Sequence, residues 1–399
     1  MKTLRQLFLD HNAQTTDFPL MLEIEKANGI YLFDPTGKKY IDLISGIGVS
    51  NIGHSNPKVV EAIHHQASSF MHLMVYGEYI QTPQVQYAAT LASHLPASLQ
   101  SIYFLNSGSE AIEGAMKLAK RATGRTEIIA CHQSYHGSSQ GSLSIMGNEE
   151  YKMAYRPLLP DISFIKYNEL EDLNLITNKT AAVFMETIQG ESGVNVPSKD
   201  YMLALRKKCT ETSTLLIFDE IQCAFGRTGS LFAFNHFNVV PDVLVLAKAL
   251  GGGMPLGAFC ASNVLMSVLK ENPILGHIST FGGHPVCCAA GHAAFDFLIE
   301  NKLIEQVNEK SNLFRDLLIH PLISEFRGKG LMIALQLPDF DTLKKVIDLC
   351  IQNGVITDWF LHNNNSMRLA PPLIITEEEI RFCCKVILDS MDQVMESNV

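Results

Sequence analysis

Several common chemistries are missing from this chain. It has no Cys-x-x-Cys pair, no His-Glu-x-x-His motif and no cluster of cysteines with its 14 histidines, so a structural or catalytic zinc site has no ligand set and no metal is expected. The nine cysteines stand singly or as the adjacent pairs Cys287–Cys288 and Cys383–Cys384. That odd count, without a secretion signal, reads as reduced thiols in a cytoplasmic protein. The opening MKTLRQLFLDHNAQTT holds a three-residue apolar run, too short for a signal peptide. No stretch approaches 18 uninterrupted apolar residues, which excludes a membrane-spanning helix. Positive charge is in deficit, 31 Lys and Arg against 41 Asp and Glu, for a net −10. Such a balance opposes nucleic acid or an anionic membrane as a general partner and leaves room only for a local basic pocket. Neither G-x-G-x-x-G nor G-x-x-x-x-G-K-[ST] occurs, so the glycine-rich stretches are not those of a nicotinamide dehydrogenase or a P-loop enzyme.

What is present is ordinary globular material, 47% hydrophobic and 18% charged, with no internal repeat and no linker. At 399 residues the chain suits one large and one smaller domain. Runs at 101–105, 127–131, 181–186, 215–219 and 243–247 have the unbroken hydrophobicity of strands buried on both faces. Segments between them, such as 109–121 and 200–209, carry helical spacing. The alternation predicts an α/β fold with a doubly wound, mostly parallel sheet whose ligands gather at the carboxyl ends of the strands. Residues 20–45 alternate around Asp34-Pro35-Thr36-Gly37, a hairpin signal. Helical stretches near 297–319 and 376–396 and short apolar runs at 331–337 and 354–357 fill the other end. We expect both chain ends, 1–55 and 291–399, to form a smaller α+β domain beside a large domain over 56–290.

Lys248 lies in VLVLAKALGGG and Asp219 ends LLIFD, each where a buried strand should stop at the rim of the sheet. A lysine among Leu246, Ala247, Ala249 and Leu250 is costly to desolvate without a partner. One chemistry uses that environment: a lysine of lowered pKa in a Schiff base with a carbonyl cofactor, with a carboxylate holding the pyridinium nitrogen. The alternative is a lysine snorkelling from a strand end. Ser107, Gly108 and Ser109 in FLNSGSEAIEG sit at a strand–helix junction, either as an anion site on helix amides or as a plain helix cap. Tyr135 and His136 in SYHGSS follow another strand, where an aromatic stacks on a planar ligand or simply faces solvent. Gln222 comes one turn after Asp219 in DEIQCAFGRTG. The neighbouring carboxylates Asp219 and Glu220 lack the further ligands a metal would need. Ser279 and Thr280 in STFGGHP offer hydroxyls, and Arg368 in MRLAPPL suits a bidentate carboxylate or a structural ion pair.

Taken in order, the GIYLFDPTGKKYIDLISGIGVSNIGHSNP opening, SGSEA, DEIQCAFGRTG, LAKALGGGMPLGA, TFGGHP and RLAPPL resemble the class III aminotransferases of the fold type I pyridoxal-phosphate enzymes, which include acetylornithine and ornithine aminotransferases. The resemblance runs from about residue 20 to 375. It implies pyridoxal 5'-phosphate as cofactor, Schiff-base formation and proton transfer by Lys248, Asp219 on the pyridinium nitrogen and Gln222 on the phenolic oxygen. It further implies Tyr135, beside His136, over the ring face, and Gly108 and Ser109 on the phosphate together with Thr280 from a second subunit. Such sharing makes a homodimer with shared active sites. Arg368 would bind a substrate carboxylate and Glu191, in IQGESG, would pair with it otherwise; Ser138 and Ser279 are the further substrate-binding candidates. The implied reaction moves an amino group from an ω-amino acid or amine to a 2-oxo acid.

The pattern departs at two positions. Acetylornithine-type and ornithine-type enzymes carry arginine directly after the aromatic-His-Gly element, where this chain has Ser138, and a serine cannot clamp a remote carboxylate. Lys152 or Arg156 would have to reach the same pocket to replace it. Thr187 stands where proline usually follows Glu186, with no function attached. Rival readings are an aminomutase or decarboxylase on the same fold, or a non-catalytic cofactor-binding protein. Intact Lys248, Asp219 and Gln222 count against the last.

Overall fold

The computed structural model describes residues 2–397. The apolar runs assemble into a seven-stranded sheet in the order Ser101–Leu105, Gly257–Ala261, Val243–Leu246, Leu215–Asp219, Thr180–Glu186, Glu127–Cys131, Ile162–Ile165. Gly257–Ala261 is antiparallel to both neighbours, and the other strands run together. Successive residues of a strand point to opposite faces, and here each face meets its own core. Val183, Leu216, Phe218 and Leu244 pack on one side with Tyr201, Met202 and Leu205 of the helix Lys199–Glu211. Ala182, Phe184, Ile217 and Val245 pack on the other with Ile112 and Met116 of the helix Gly108–Thr123. Burial on both sides is why these strands read as unbroken hydrophobic runs. Two strands were not expected. Ile162–Ile165 is a half-exposed edge strand, and Gly257–Ala261 follows a glycine-rich loop whose small residues masked its start.

Both chain ends meet in further sheets. Lys26–Asn28, Tyr31–Phe33 and Lys39–Asp42 form an antiparallel meander. Its expected turn is closed by Gly37 N–H on Asp34 O at 3.0 Å and by Thr36 and Lys38 amides on Asp34 Oδ1, each at 2.9 Å. Val355–Ile356 joins that meander in parallel beside Ile41 and Asp42. A second four-stranded sheet runs Glu325–Lys329, Met332–Gln336, Asn363–Leu369, Asp358–Phe360, all antiparallel. The helical stretch expected over 297–319 is two helices, Pro285–Glu300 and Leu303–Leu317, broken where Lys302 takes a left-handed φ of 50°. Phe340–Gln352, not expected, packs against Glu377–Glu396 and the strand Asn363–Leu369. Among the described residues no helix is long and apolar enough to cross a membrane.

Candidate active site

Three neighbouring parallel strands deliver the central charges. In the sheet register Glu186 lies opposite Asp219, and Asp219 opposite Val245, three residues before Lys248. Glu186, Asp219 and Lys248 therefore reach one edge, the carboxyl end of the strands. Lys248 opens a short turn, Lys248–Gly251, with φ of 52°. A left-handed non-glycine costs on the order of 1–3 kcal/mol and is the kind of local strain that functional sites retain. A cavity of about 450 Å³ opens here, lined by Gly108, Ser109, Tyr135, His136, Asp219, Gln222, Glu191 and Lys248, with Asn106, Ser107 and Glu186. Burial lowers the Lys248 pKa. Glu191 opposes that shift, Arg368 adds to it, and Asp219 and Glu186 oppose it again, all through charge at a distance rather than a hydrogen bond.

Asp219 is fixed on both oxygens: Oδ2 meets His136 Nδ1 at 2.7 Å and Oδ1 accepts from the Ile221 amide at 2.9 Å. His136 Nε2 is buried without a hydrogen-bond partner among the described residues. Glu186 accepts from the Tyr135 amide at 3.0 Å and the Gly190 amide at 2.8 Å. Burial pushes its carboxyl up to about 7, with His136 pulling down, Asp219 pushing up, and the two amides pulling down. This residue was missed in the sequence although it ends AAVFME just as Asp219 ends LLIFD. Glu220, the other carboxylate of DEIQC, is turned away: its two oxygens take the amides of Ala233 and Phe234, each at 2.6 Å. Thr187 donates its amide to Asp219 O at 3.3 Å, a bond that proline cannot make.

At the other end of the cavity, Ser107 caps the helix Gly108–Thr123 by accepting from Glu110 N–H at 3.2 Å. The amides of Gly108 and Ser109 have no partner among the described residues. Gly137 has φ of 121°, and a Cβ there would fall 2.1 Å from Ser109 Oγ, so the loop after Tyr135 and His136 lies directly on this helix start. Thr280 is exposed and outside the cavity. Ser279 lies in an adjacent hollow and accepts from Asn106 Nδ2 at 3.0 Å, a contact that the sequence did not signal. Ser138 is exposed and lines neither this cavity nor the next. Arg156 is exposed and paired with Glu149 at 2.6 Å, while Lys152 is buried over the Phe164 ring at 4.2 Å; neither lines the cavities.

A second cavity of about 460 Å³ shares Tyr135, Glu191 and Lys248 with the first and adds Arg368, Asp358, Trp359, Leu20 and Ile47. Arg368 grips Glu191 with both terminal nitrogens at 2.8 Å and donates from Nε to Asp358 Oδ1 at 3.0 Å. Burial alone would raise the Glu191 pKa, but Arg368 and, more weakly, Lys248 hold it at about 2. Gln222 donates to Glu191 Oε1 at 3.1 Å and so ties the two cavities together. Gly190 permits this, since a Cβ there would sit 1.9 Å from Gln222 Oε1.

The donor set fits pyridoxal phosphate. Among the described residues it offers a half-buried amine without a hydrogen bond, an aspartate held on both oxygens across the cavity, and two free amides at a helix start, where a phosphate is stabilised by partial positive charge. Comparison with known proteins agrees. The family model described as aminotransferase class-III matches residues 12–391. An acetylornithine aminotransferase of Methanosarcina mazei is 40% identical over 364 residues, 90% of this chain and 89% of that protein. The crystal structure of the ornithine aminotransferase from Toxoplasma gondii superposes with a TM-score of 0.91 at 30% identity, covering 100% of this chain and 97% of that one. An acetylornithine aminotransferase from Elizabethkingia anophelis gives 0.85 at 34% identity, covering 98% of each. The chain belongs to the class III aminotransferases and is a pyridoxal-phosphate-dependent transaminase of fold type I.

Proposed function

We propose that the enzyme takes an amino group from an ω-amino acid or amine and passes it to a 2-oxo acid, with Lys248 as the residue that carries the cofactor and moves the proton. One observation carries this reading: Lys248, half-buried and with no side-chain hydrogen bond among the described residues, stands one strand from Asp219 in the same cavity. Bound pyridoxal phosphate supplies an electron sink that weakens the C–H bond next to the donor's nitrogen. Asp219, braced by His136, keeps a proton on the pyridine nitrogen. Gln222 has one amide hydrogen on Glu191 and a second for the phenolic oxygen. Tyr135 would cover the ring, and the amides of Gly108 and Ser109 would take the phosphate. Burial lowers the Lys248 pKa, which favours the neutral amine that accepts the proton. Glu191 masks Arg368 during the donor half and releases it to a 2-oxo acid in the acceptor half.

We further propose a homodimer in the cytoplasm, with Thr280 of the partner subunit completing the phosphate site. Its support is the exposure of Thr280, the exposure of apolar side chains at Met71, Tyr79, Ile80, Ile278 and Phe281, and nine unpaired, buried cysteines. Half-reactions test the function. An amine donor alone should discharge the cofactor's visible band, and a 2-oxo acid alone should restore it. A band that responds to no amine at saturating concentration would sink the proposal.

A further inference from the structure

Arg368 and Asp358 are direct cross-strand partners in the antiparallel pair of Asp358–Phe360 with Asn363–Leu369. The guanidinium has little left to offer. Its Nε donates to Asp358 Oδ1 at 3.0 Å, Nη1 and Nη2 donate to Glu191 at 2.8 Å each, and Nη2 also donates to Trp359 O at 3.1 Å. Its Cζ lies 4.5 Å from the Phe360 ring centroid. When Glu191 withdraws, the two-nitrogen edge is freed for a carboxylate. Asp358 remains on the opposite edge and continues to neutralise the same cation. A carboxylate entering this compartment therefore meets an arginine whose charge is already matched.

The compartment as a whole is anionic. Its charged walls are Glu191, Asp358, Arg368 and Lys248. With Lys248 engaged at the cofactor, two carboxylates face one guanidinium, a balance of −1. Asp358 Oδ2 receives no hydrogen bond among the described residues, and its side chain is 24% exposed. The rest of the wall near it is apolar, with Leu20, Ile47 and Trp359. Burial, reinforced by Glu191 and opposed by Arg368, lifts the Asp358 carboxyl to about 6, so it is ionised at neutral pH. A free carboxylate oxygen in an apolar wall suits a cationic end group on a short aliphatic chain.

Building on the amine-donor reading above, we propose that Asp358 is a specificity-determining residue that turns this compartment toward donors ending in a second ammonium group, short diamines, and away from donors ending in a carboxylate. The test uses the holoenzyme with putrescine, n-butylamine and 4-aminobutyrate, which share a four-carbon chain and differ at the far end. Putrescine should exceed n-butylamine in kcat/KM by about tenfold, the size expected of one partly desolvated charge-assisted contact, and 4-aminobutyrate should be the poorest. Asp358→Asn, nearly isosteric, should bring the putrescine-to-butylamine ratio to about one and lower the KM of the 2-oxo acid several-fold, because Arg368 is then no longer neutralised from behind. A general structural defect would depress all donors without moving that ratio. Should the variant fail to fold, the wild-type series decides alone. A wild-type preference for 4-aminobutyrate, or a ratio unchanged by Asp358→Asn, overturns the proposal. Discharge of the cofactor by no donor at all would instead overturn the amine-donor reading beneath it, which the same single-turnover trace distinguishes.

Discussion

Lys248, Asp219 and Glu186 reach their cavity from the ends of adjacent strands of one sheet, whereas Arg368, Asp358 and Glu191 meet because a C-terminal hairpin lies against the loop after Thr180–Glu186. The first group sits at the ends of largely buried strands, and each member is announced by the apolar run in front of it. The second depends on contacts between residues as far as 177 positions apart. That contrast predicts a division of labour. Changes on the strand-end side should damage turnover of every donor alike, while changes on the hairpin side should alter the ranking of donors.

Lys248→Ala is the most severe break. Loss of both the covalent anchor and the proton carrier should reduce turnover by at least about 10³-fold for every donor and abolish the pH-sensitive visible band. Near-normal turnover with the band retained would place the reactive amine elsewhere. Next comes Asp219→Asn, expected to leave cofactor bound but slow proton abstraction. Loss of a charged hydrogen bond in a dry site is worth about 2–4 kcal/mol, roughly two to three decades. Single-turnover rates should fall by the same factor with putrescine and n-butylamine. Rates within threefold of wild type would refute the electron-sink role, and unequal falls would blur the proposed division.

How much was legible in the sequence follows the same line. Five strands of the large sheet and both helices named at their flanks were readable, because burial on two faces leaves an unbroken apolar run and an amphipathic helix leaves its own period. The lysine and aspartate at strand ends were legible for the same local reason. Glu186 carries the same signal at the end of Thr180–Glu186. Asp358 could not be found this way: its neighbours in TDWF say nothing of Arg368 until the hairpin pairs them. Asn106 likewise gains its role only when Ser279 folds against it. Phe340–Gln352 lies between the short strands Met332–Gln336 and Val355–Ile356, whose apolar runs dominate that stretch of sequence. Ser138 stands out in the sequence as a departure from the pattern, and only the structure shows that Lys152 and Arg156 are engaged elsewhere.

Ser138→Arg sharpens the comparison from the substrate side. The serine is exposed, so a longer side chain has room, and it follows the loop that carries Tyr135 and His136 into the cavity. A new bidentate arginine–carboxylate contact could contribute roughly 1.5–3 kcal/mol, about one to two decades in kcat/KM, for donors with a remote carboxylate such as acetylornithine. Matched donors without that group should gain nothing. A strong native preference for acetylornithine, unchanged in the variant, would show that another basic residue already grips the carboxylate.

The smallest effect expected is a pH dependence confined to donor choice. The groups acting on Asp358 are Arg368, Glu191 and Asp42. Glu191, held at about 2, stays ionised throughout, and Arg368 stays charged. Asp358, lifted to about 6 chiefly by burial, is the group that changes state as the solution is acidified. Above that value it is a carboxylate and attracts the far ammonium of a diamine; below it the carboxyl is neutral and the attraction is lost. Both ammonium groups of putrescine titrate far above this range in water. Ionisations on the cofactor side affect putrescine and n-butylamine alike and cancel in the ratio. The putrescine-to-butylamine ratio of kcat/KM should therefore fall from pH 8 to pH 5 by a few-fold, up to about tenfold, with a midpoint near 6, because kcat/KM reports the ionisation of the free enzyme. In Asp358→Asn the same ratio should be flat. A ratio that rises on acidification, or that falls equally in the variant, would assign the titration to some other group and leave Asp358 without a part in donor choice.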